Sequence, residues 1–315
     1  MLALCCMSHS PLLEYSELSA EVAEELEASF AVAREFVEDF DPELVVSFAP
    51  DHYNGFFYKL MPAFAIGLNA ESVGDFGSAA GPLNVPTDLA RDLAGSVLED
   101  GVDLAVSMRM EVDHGAVQPL ETLWGDIGVP SLIPLFINSV APPFGPTARV
   151  RLLGEAVGRW AAATDRRVLL LGSGGLSHDP PSPLVHDAPA EIRERMIAGG
   201  ARPPEGEQAR GERLAEVAHA FAAGTSTDLM PLNEAWDHRF LDHLERGELA
   251  ALDLWTPYEM AQQAGRAANE VRTWLAAYAA LSAAGPYEMG YRYYRAIPEL
   301  IAGFSVTTAL PSDRA

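Results

Sequence analysis

The sequence predicts an α/β fold: a single domain over residues 1–315, built on a central largely parallel or mixed sheet flanked by helices, with a helical C-terminal third. Three observations carry the prediction. Short continuous apolar runs bounded by Gly and Pro recur up to residue 171, as in strands buried on both faces. Amphipathic stretches alternate with them in the rhythm of βαβ units. Four histidines, His9, His52, His114 and His178, each stand just past the end of such a run.

Taken in order, residues 1–7 form a short apolar run that ends at Ser8-His9-Ser10-Pro11. Residues 16–40 place Leu18, Val22, Leu26, Phe30, Phe36 and Val37 at mostly three-to-four spacing among glutamates, a helix that Pro42 stops. ELVVSFA at 43–49 is a second buried strand, ending in Pro50-Asp51-His52. Residues 55–77, rich in Gly and aromatics, read as irregular strand and loop. Thr87 or Asp88 can cap a helix over 89–98. VDLAVSMRM at 102–110 is a third strand, running into Glu111-Val112-Asp113-His114, and 119–124 fits a short helix. VPSLIPLFI at 129–137 is a fourth strand, and 148–163 another amphipathic helix. RVLLL at 167–171 then enters Gly172-Ser173-Gly174-Gly175 and His178. Residues 182–213, polar and rich in Pro, Gly, Glu and Arg, read as a surface excursion. Helices are expected over 214–223, 236–248 and 257–283, followed by a tail rich in Tyr and Arg.

Composition narrows the function. The formal net charge is −24, with Lys59 the single lysine among 21 basic residues. That excludes nucleic acid and anionic membrane as natural partners, since both demand clustered cations. Cys5 and Cys6 are neighbours and cannot frame a disulfide scaffold, so a reducing, cytoplasmic compartment is expected. No apolar run reaches the ~18 residues of a membrane span.

If the histidine-bearing runs are parallel strands, their carboxyl ends share one edge, where open α/β sheets bind ligands. There the four imidazoles can converge. The glycine run 172–175 is no P-loop, which needs a following Gly-Lys-Ser/Thr, and the G-x-S-x-G nucleophile pattern fails because Leu171 fills the first glycine's place. Two imidazoles and a carboxylate with open positions suit a non-haem iron(II). Asp51 and Asp113, each preceding a histidine, suit orienting roles. The carboxylate ligand is either Glu270, alone among small apolar residues, or Asp237; Glu270 can equally pair with Arg266, four residues before it, on a solvated face.

The motifs SHSP at 8–11, FAPDHYNGFFY at 48–58, DFGSAAG at 75–81, VDHG at 112–115, LGSGGLSHDPP at 171–181 and YYRAIPELIAGF at 293–304 together resemble the class III (LigB-type) extradiol ring-cleaving dioxygenases, over nearly the whole chain. The resemblance implies an Fe(2+) enzyme that uses O2 to open a catecholic small molecule beside its hydroxyls, in phenylpropanoid catabolism, and that forms a homo-oligomer. It implies His9 and His52 as metal ligands, with Glu270 preferred to Asp237 because 270–274 reads E-V-R-T-W. It implies His114 as proton donor and His178 as proton acceptor. A propionate side chain on the substrate needs cations or donors, for which Arg292, Arg295, Tyr293 and Lys59 are the candidates. The alternatives are an extradiol enzyme for another catechol, or a zinc-dependent hydrolase on the same scaffold. Gly172, Gly174 and Gly175 are expected to leave room for substrate near the metal.

Overall fold

A computed structural model describes residues 1–200, 204–226 and 228–312. Its N-terminal half comprises β1 (Leu2–Met7), α1 (Ala20–Phe40), β2 (Leu44–Ala49), β3 (Phe64–Gly67), β4 (Ala70–Val73), β5 (Ala80–Pro82), α2 (Thr87–Glu99), β6 (Ala105–Ser107), β7 (Met110–Val112), α3 (His114–Trp124) and β8 (Leu132–Ile137). Then follow α4 (Thr147–Ala163), β9 (Val168–Ser173), α5 (Ala190–Ala198), α6 (Pro204–Ala222), α7 (Glu234–Glu245), α8 (Pro257–Ala264), α9 (Val271–Ser282), β10 (Tyr287–Ile297) and β11 (Ala302–Pro311).

Eight strands form the main sheet in the order β10-β11-β1-β9-β2-β8-β3-β6. The middle four, β1, β9, β2 and β8, are mutually parallel, and all 24 of their residues are buried. Their uninterrupted apolar sequences follow from that position, with helices on both faces. Antiparallel strands close both flanks, so the sheet is mixed, as expected. A small second sheet, β5-β4-β7, stands apart.

The longest helix–helix contact is between α4 and α9, and small residues make it possible. A Cβ on Gly154 would lie 2.2 Å from the Ala276 carbonyl oxygen, and one on Gly158 2.0 Å from that of Ala280. The two backbones therefore touch, and α9 is driven down onto β9, β1 and β2 with eleven of its twelve residues buried.

Five local expectations change. The run 102–110 is two strands in two sheets, split by a turn at Met108 and Arg109; Val106 and Met108 are 47% and 64% exposed, so its apolar look is not burial. The helix expected at 119–124 starts at His114, capped by the Asp113 carboxylate, which accepts from Gly115 N–H at 3.0 Å. Neither Thr87 nor Asp88 caps α2: Pro86 holds that position, and the Thr87 hydroxyl donates to the Leu68 carbonyl instead. The span 257–283 breaks at Gly265, whose φ is +95°, and a short 3-10 turn, Arg266–Glu270, precedes α9. The tyrosine-rich tail is the hairpin β10–β11, whose second strand pairs with β1. The excursion 182–213 is largely helical and mostly exposed; its residues 201–203 lie outside the described residues.

The α4–α9 contact makes a direct stability prediction. Gly158→Ala should lower the free energy of unfolding by about 1–3 kcal/mol through overpacking against backbone, read by chemical denaturation. A change within 0.5 kcal/mol, roughly what a surface site gives, would deny the close approach.

Candidate active site at the sheet edge

The parallel register decides where the first side chains go. Met7 pairs with Ser173 and Phe48 with Gly172, so β1, β9 and β2 end level, and the residues that follow them meet above the edge. His9, His178 and His52 arrive in this way. His114 reaches the same point by another route, from the N-terminus of α3 after the small sheet. One nitrogen from each of His9, His52 and His114 lies within 4.8 Å of the other two. The His52 and His114 rings stack at 4.5 Å.

Glu270 comes from the turn before α9 and is 1% exposed. Its Oε1 lies 3.3 Å from His52 Nε2 and 3.3 Å from His178 Nε2, and its Oε2 3.5 Å from His9 Nε2. The Gly175 N–H donates to Oε2 at 3.1 Å. Arg266 takes no part, being paired with Asp179 at 2.7 Å. Asp237 is equally buried but fully engaged elsewhere: it accepts from the Ser177 amide (2.7 Å), the Ser177 hydroxyl (2.6 Å) and the Tyr294 hydroxyl (2.7 Å). It anchors the loop that carries His178.

The opposite nitrogen of each imidazole has an outer partner. His52 Nδ1 faces Asp113 Oδ2 at 3.1 Å, His114 Nδ1 faces Asp75 Oδ2 at 2.7 Å, and His178 Nδ1 faces the Leu176 carbonyl at 3.0 Å. These partners only accept, so the Nδ1 atoms carry hydrogen and each neutral ring presents an Nε2 lone pair inward. Asp113 also accepts from the His52 amide at 2.7 Å. Asp51 accepts from the Asn54, Gly55 and Phe56 amides and so shapes the loop holding His52.

Inward lone pairs beside a carboxylate repel unless a proton or a cation sits between them. Without a cation the protons do this work. Burial opposes the charged form of His178, yet Glu270 outweighs it and raises the pKa; at His52, Asp113 and Glu270 together overcome burial. Glu270 is held below the usual carboxylate range: burial works against its charge, and His178 and His52 more than offset that. At His9 burial prevails over Glu270, pushing it down to about 3 and keeping it neutral. Asp51 is pushed up to about 7 by burial and by the charge of Asp113. Three imidazole nitrogens around a buried carboxylate are a donor set that fits a divalent metal.

A family model for the catalytic LigB subunit of aromatic ring-opening dioxygenase matches residues 3–305. The chain belongs to the LigB family. LigB proteins are extradiol ring-cleaving, metal-dependent dioxygenases of aromatic catabolism, which makes this chain a catechol dioxygenase acting with O2. Among curated relatives, a 2,3-dihydroxyphenylpropionate/2,3-dihydroxicinnamic acid 1,2-dioxygenase of Mycobacterium sp. (strain MCS) is 54% identical over 98% of both chains. Proteins of the same name from Rhodococcus rhodochrous and Rhodococcus jostii (strain RHA1) are 54% identical over 98% of this chain and 97% of theirs, and 53% identical over 99% of both.

Within this LigB chain the tail residues lie elsewhere. Arg292 is bound to Asp242 at 2.7 Å and Glu245 at 2.8 Å, and Arg295 to Glu25 at 2.7 Å. Tyr293 packs toward α1, and Lys59 is exposed. The glycines also serve other neighbours than substrate. A Cβ on Gly172 would strike Cys6 Sγ at 2.5 Å, on Gly174 the Glu270 carbonyl oxygen at 2.7 Å, and on Gly175 the His178 ring at 2.8 Å. Sequence reasoning missed Asp75, 39 residues from its partner His114. The signal was present in DFGSAAG, where Phe76 takes φ +49° and holds its ring edge-on to His114 at 5.2 Å. Asp75→Asn would set an amide N–H2 or a poorer acceptor against the His114 donors. We expect turnover to fall at least about tenfold with bound metal unchanged, measured by steady-state oxygen uptake and metal analysis.

Proposed function

We propose that this dioxygenase is an iron(II) enzyme that cleaves 3-(2,3-dihydroxyphenyl)propionate, and its cinnamic analogue, beside the ring hydroxyls. Both atoms of O2 enter the product, a hydroxy-oxo-dienedioate. The substrate assignment is supported by the names of relatives at 54% identity over 98% of the chain. The observation that carries the iron reading is the convergence of imidazole Nε2 atoms on one buried carboxylate at 3.3–3.5 Å. In this reading His9, His52 and Glu270 hold the ion. Bound there, iron(II) supplies Lewis acidity and a common coordination sphere for the catechol oxygens and O2.

The remaining imidazoles divide the proton work. His178, with Nδ1–H fixed on the Leu176 carbonyl, turns Nε2 into the cluster 3.3 Å from Glu270 Oε1, where with Glu270 on the ion it can take a proton from a substrate hydroxyl. It must be neutral to do so. His114, with Nδ1–H held by Asp75, is the proton donor to the oxygen released as the ring opens. Asp113 orients His52, and Asp51 shapes the loop that holds it. The family match over residues 3–305 supports reading the chain as one catalytic unit. Two unpaired, buried cysteines suit a reducing cytoplasm, and no helix is long and apolar enough to cross a membrane. Assembly into a homo-oligomer belongs to the same reading, on the family resemblance alone.

Two measurements test it. Anaerobically iron-loaded protein should consume O2 with 2,3-dihydroxyphenylpropionate faster than with protocatechuate or catechol. No uptake with any of the three, or activity that follows zinc content, defeats the proposal. In the second, kcat/KM should fall on the acid side of its pH profile, as the base His178 gains a proton and can no longer accept one. His114→Ala and His178→Ala should each cost about 10²–10⁴ in turnover with iron retained, whereas His9→Ala, His52→Ala and Glu270→Ala should lose iron. Iron loss in His178→Ala would make it a ligand instead.

A further inference from the structure

His9 differs from the other three histidines in its outer partner. His52 and His114 face carboxylates and His178 faces a carbonyl, all of which only accept. His9 Nδ1 instead faces a hydroxyl, Ser173 Oγ, at 2.9 Å. A hydroxyl can donate or accept, so by itself it leaves the imidazole tautomer undefined.

A third group settles the direction. Ser173 Oγ–H donates to the main-chain carbonyl of Gly115. Pro119, four residues later in α3, has no N–H to offer that carbonyl, so the helix N–H that would ordinarily compete for the same oxygen is missing. With its one hydrogen spent on Gly115, Ser173 Oγ can meet His9 only as an acceptor. His9 then carries its hydrogen on Nδ1 and turns a lone pair at Nε2 toward Glu270 Oε2, 3.5 Å away. The opposite tautomer would put N–H where a ligand lone pair is required.

The surroundings hold this chain of groups still. Ser173 is fully buried, and His9 and Gly115 are buried beside it. Thr273 Oγ1 donates to the Ser173 carbonyl at 2.7 Å, and Trp274 Nε1 to that of Gly174 at 3.1 Å, tying the end of β9 to the helix that follows Glu270. Gly115 lets the α3 backbone approach: a Cβ there would lie 3.2 Å from His9 Cε1 and 3.1 Å from His52 Cε1.

We propose that Pro119, the Gly115 carbonyl and Ser173 form a relay that sets the tautomer of His9, making Ser173 a positioning residue for a metal-binding imidazole. The relay rests on the reading of His9 as a ligand, and the two are separable by experiment. In metal-free protein labelled with ¹⁵N-histidine, NMR should report His9 solely as the Nδ1–H tautomer. Pro119→Ala restores an amide that competes with the Ser173 hydroxyl for the Gly115 carbonyl and weakens its hold on the hydroxyl hydrogen, so His9 should become a mixture of tautomers. Fe(II) affinity, titrated anaerobically, should fall about ten- to hundredfold in Ser173→Ala and in Pro119→Ala, and the double variant should lose no more than either alone. Alanine is the better helix former at 119, so a melting temperature at or above wild type separates this loss from unfolding. An unchanged His9 tautomer in Pro119→Ala, or unchanged Fe(II) affinity in Ser173→Ala, overturns the relay. Undiminished Fe(II) binding in His9→Ala would instead overturn the ligand reading, while the tautomer measurement still decides the relay.

Discussion

A buried negative charge is the constraint on which this structure depends. Glu270 is 1% exposed, and an isolated carboxylate in that position would be prohibitively costly. Three imidazoles and one main-chain amide make it tolerable. Every large feature of the fold contributes to that meeting. The level ends of β1, β9 and β2 bring the histidines to one height. The backbone-to-backbone seating of α9 on α4, allowed by Gly154 and Gly158, sets the height of the turn that carries the carboxylate. Gly174 removes the last obstacle, since a side chain there would collide with the Glu270 main chain.

Around this charge the imidazoles are oriented by a common rule: hydrogen outward on Nδ1, lone pair inward on Nε2. The rule is executed with four different outer partners, and the difference matters. The carboxylate at His52 stabilises a positive ring as well as orienting it, and the one at His114 fixes the ring's direction. At His178 the outer partner is a neutral main-chain carbonyl, and the negative charge comes from Glu270 on the inner side. At His9, where a neutral ring is wanted throughout, burial and a hydroxyl replace the anion.

Much of this was legible in the sequence because strands buried on both faces leave an unmistakable apolar record. β1, β2, β8 and β9 were readable within a few residues, and with them His9, His52 and His178. His114 was picked out by the right neighbourhood for the wrong reason: it follows a strand of the small sheet, not a run of the main one. Features that depend on a single distant partner left less trace. Asp75 reads as a loop acid until its partner is known, and Ser173 as one more small residue in a glycine turn. The hairpin β10–β11 hid because its outer strand alternates half-buried tyrosines with arginines that are matched to acids on α7 and α1, so no apolar run marks it. Arg292 and Arg295, candidates in sequence for a substrate carboxylate, are ion-paired with acids in space.

The site draws on residues as far apart as His9 and Glu270, 261 positions distant in the chain. The three strands that carry imidazoles lie ahead of α5 through α8 in synthesis order, whereas the carboxylate that completes the cluster enters only with α9. Before that helix docks, the imidazoles at the sheet edge have their outer partners but not the central carboxylate, and loop closure on this scale is entropically demanding. Completion of the cluster is therefore a late event in the life of the polypeptide. It emerges with global topology rather than from any local motif, and an intermediate that has formed its sheet but not seated its C-terminal helix lacks the central carboxylate.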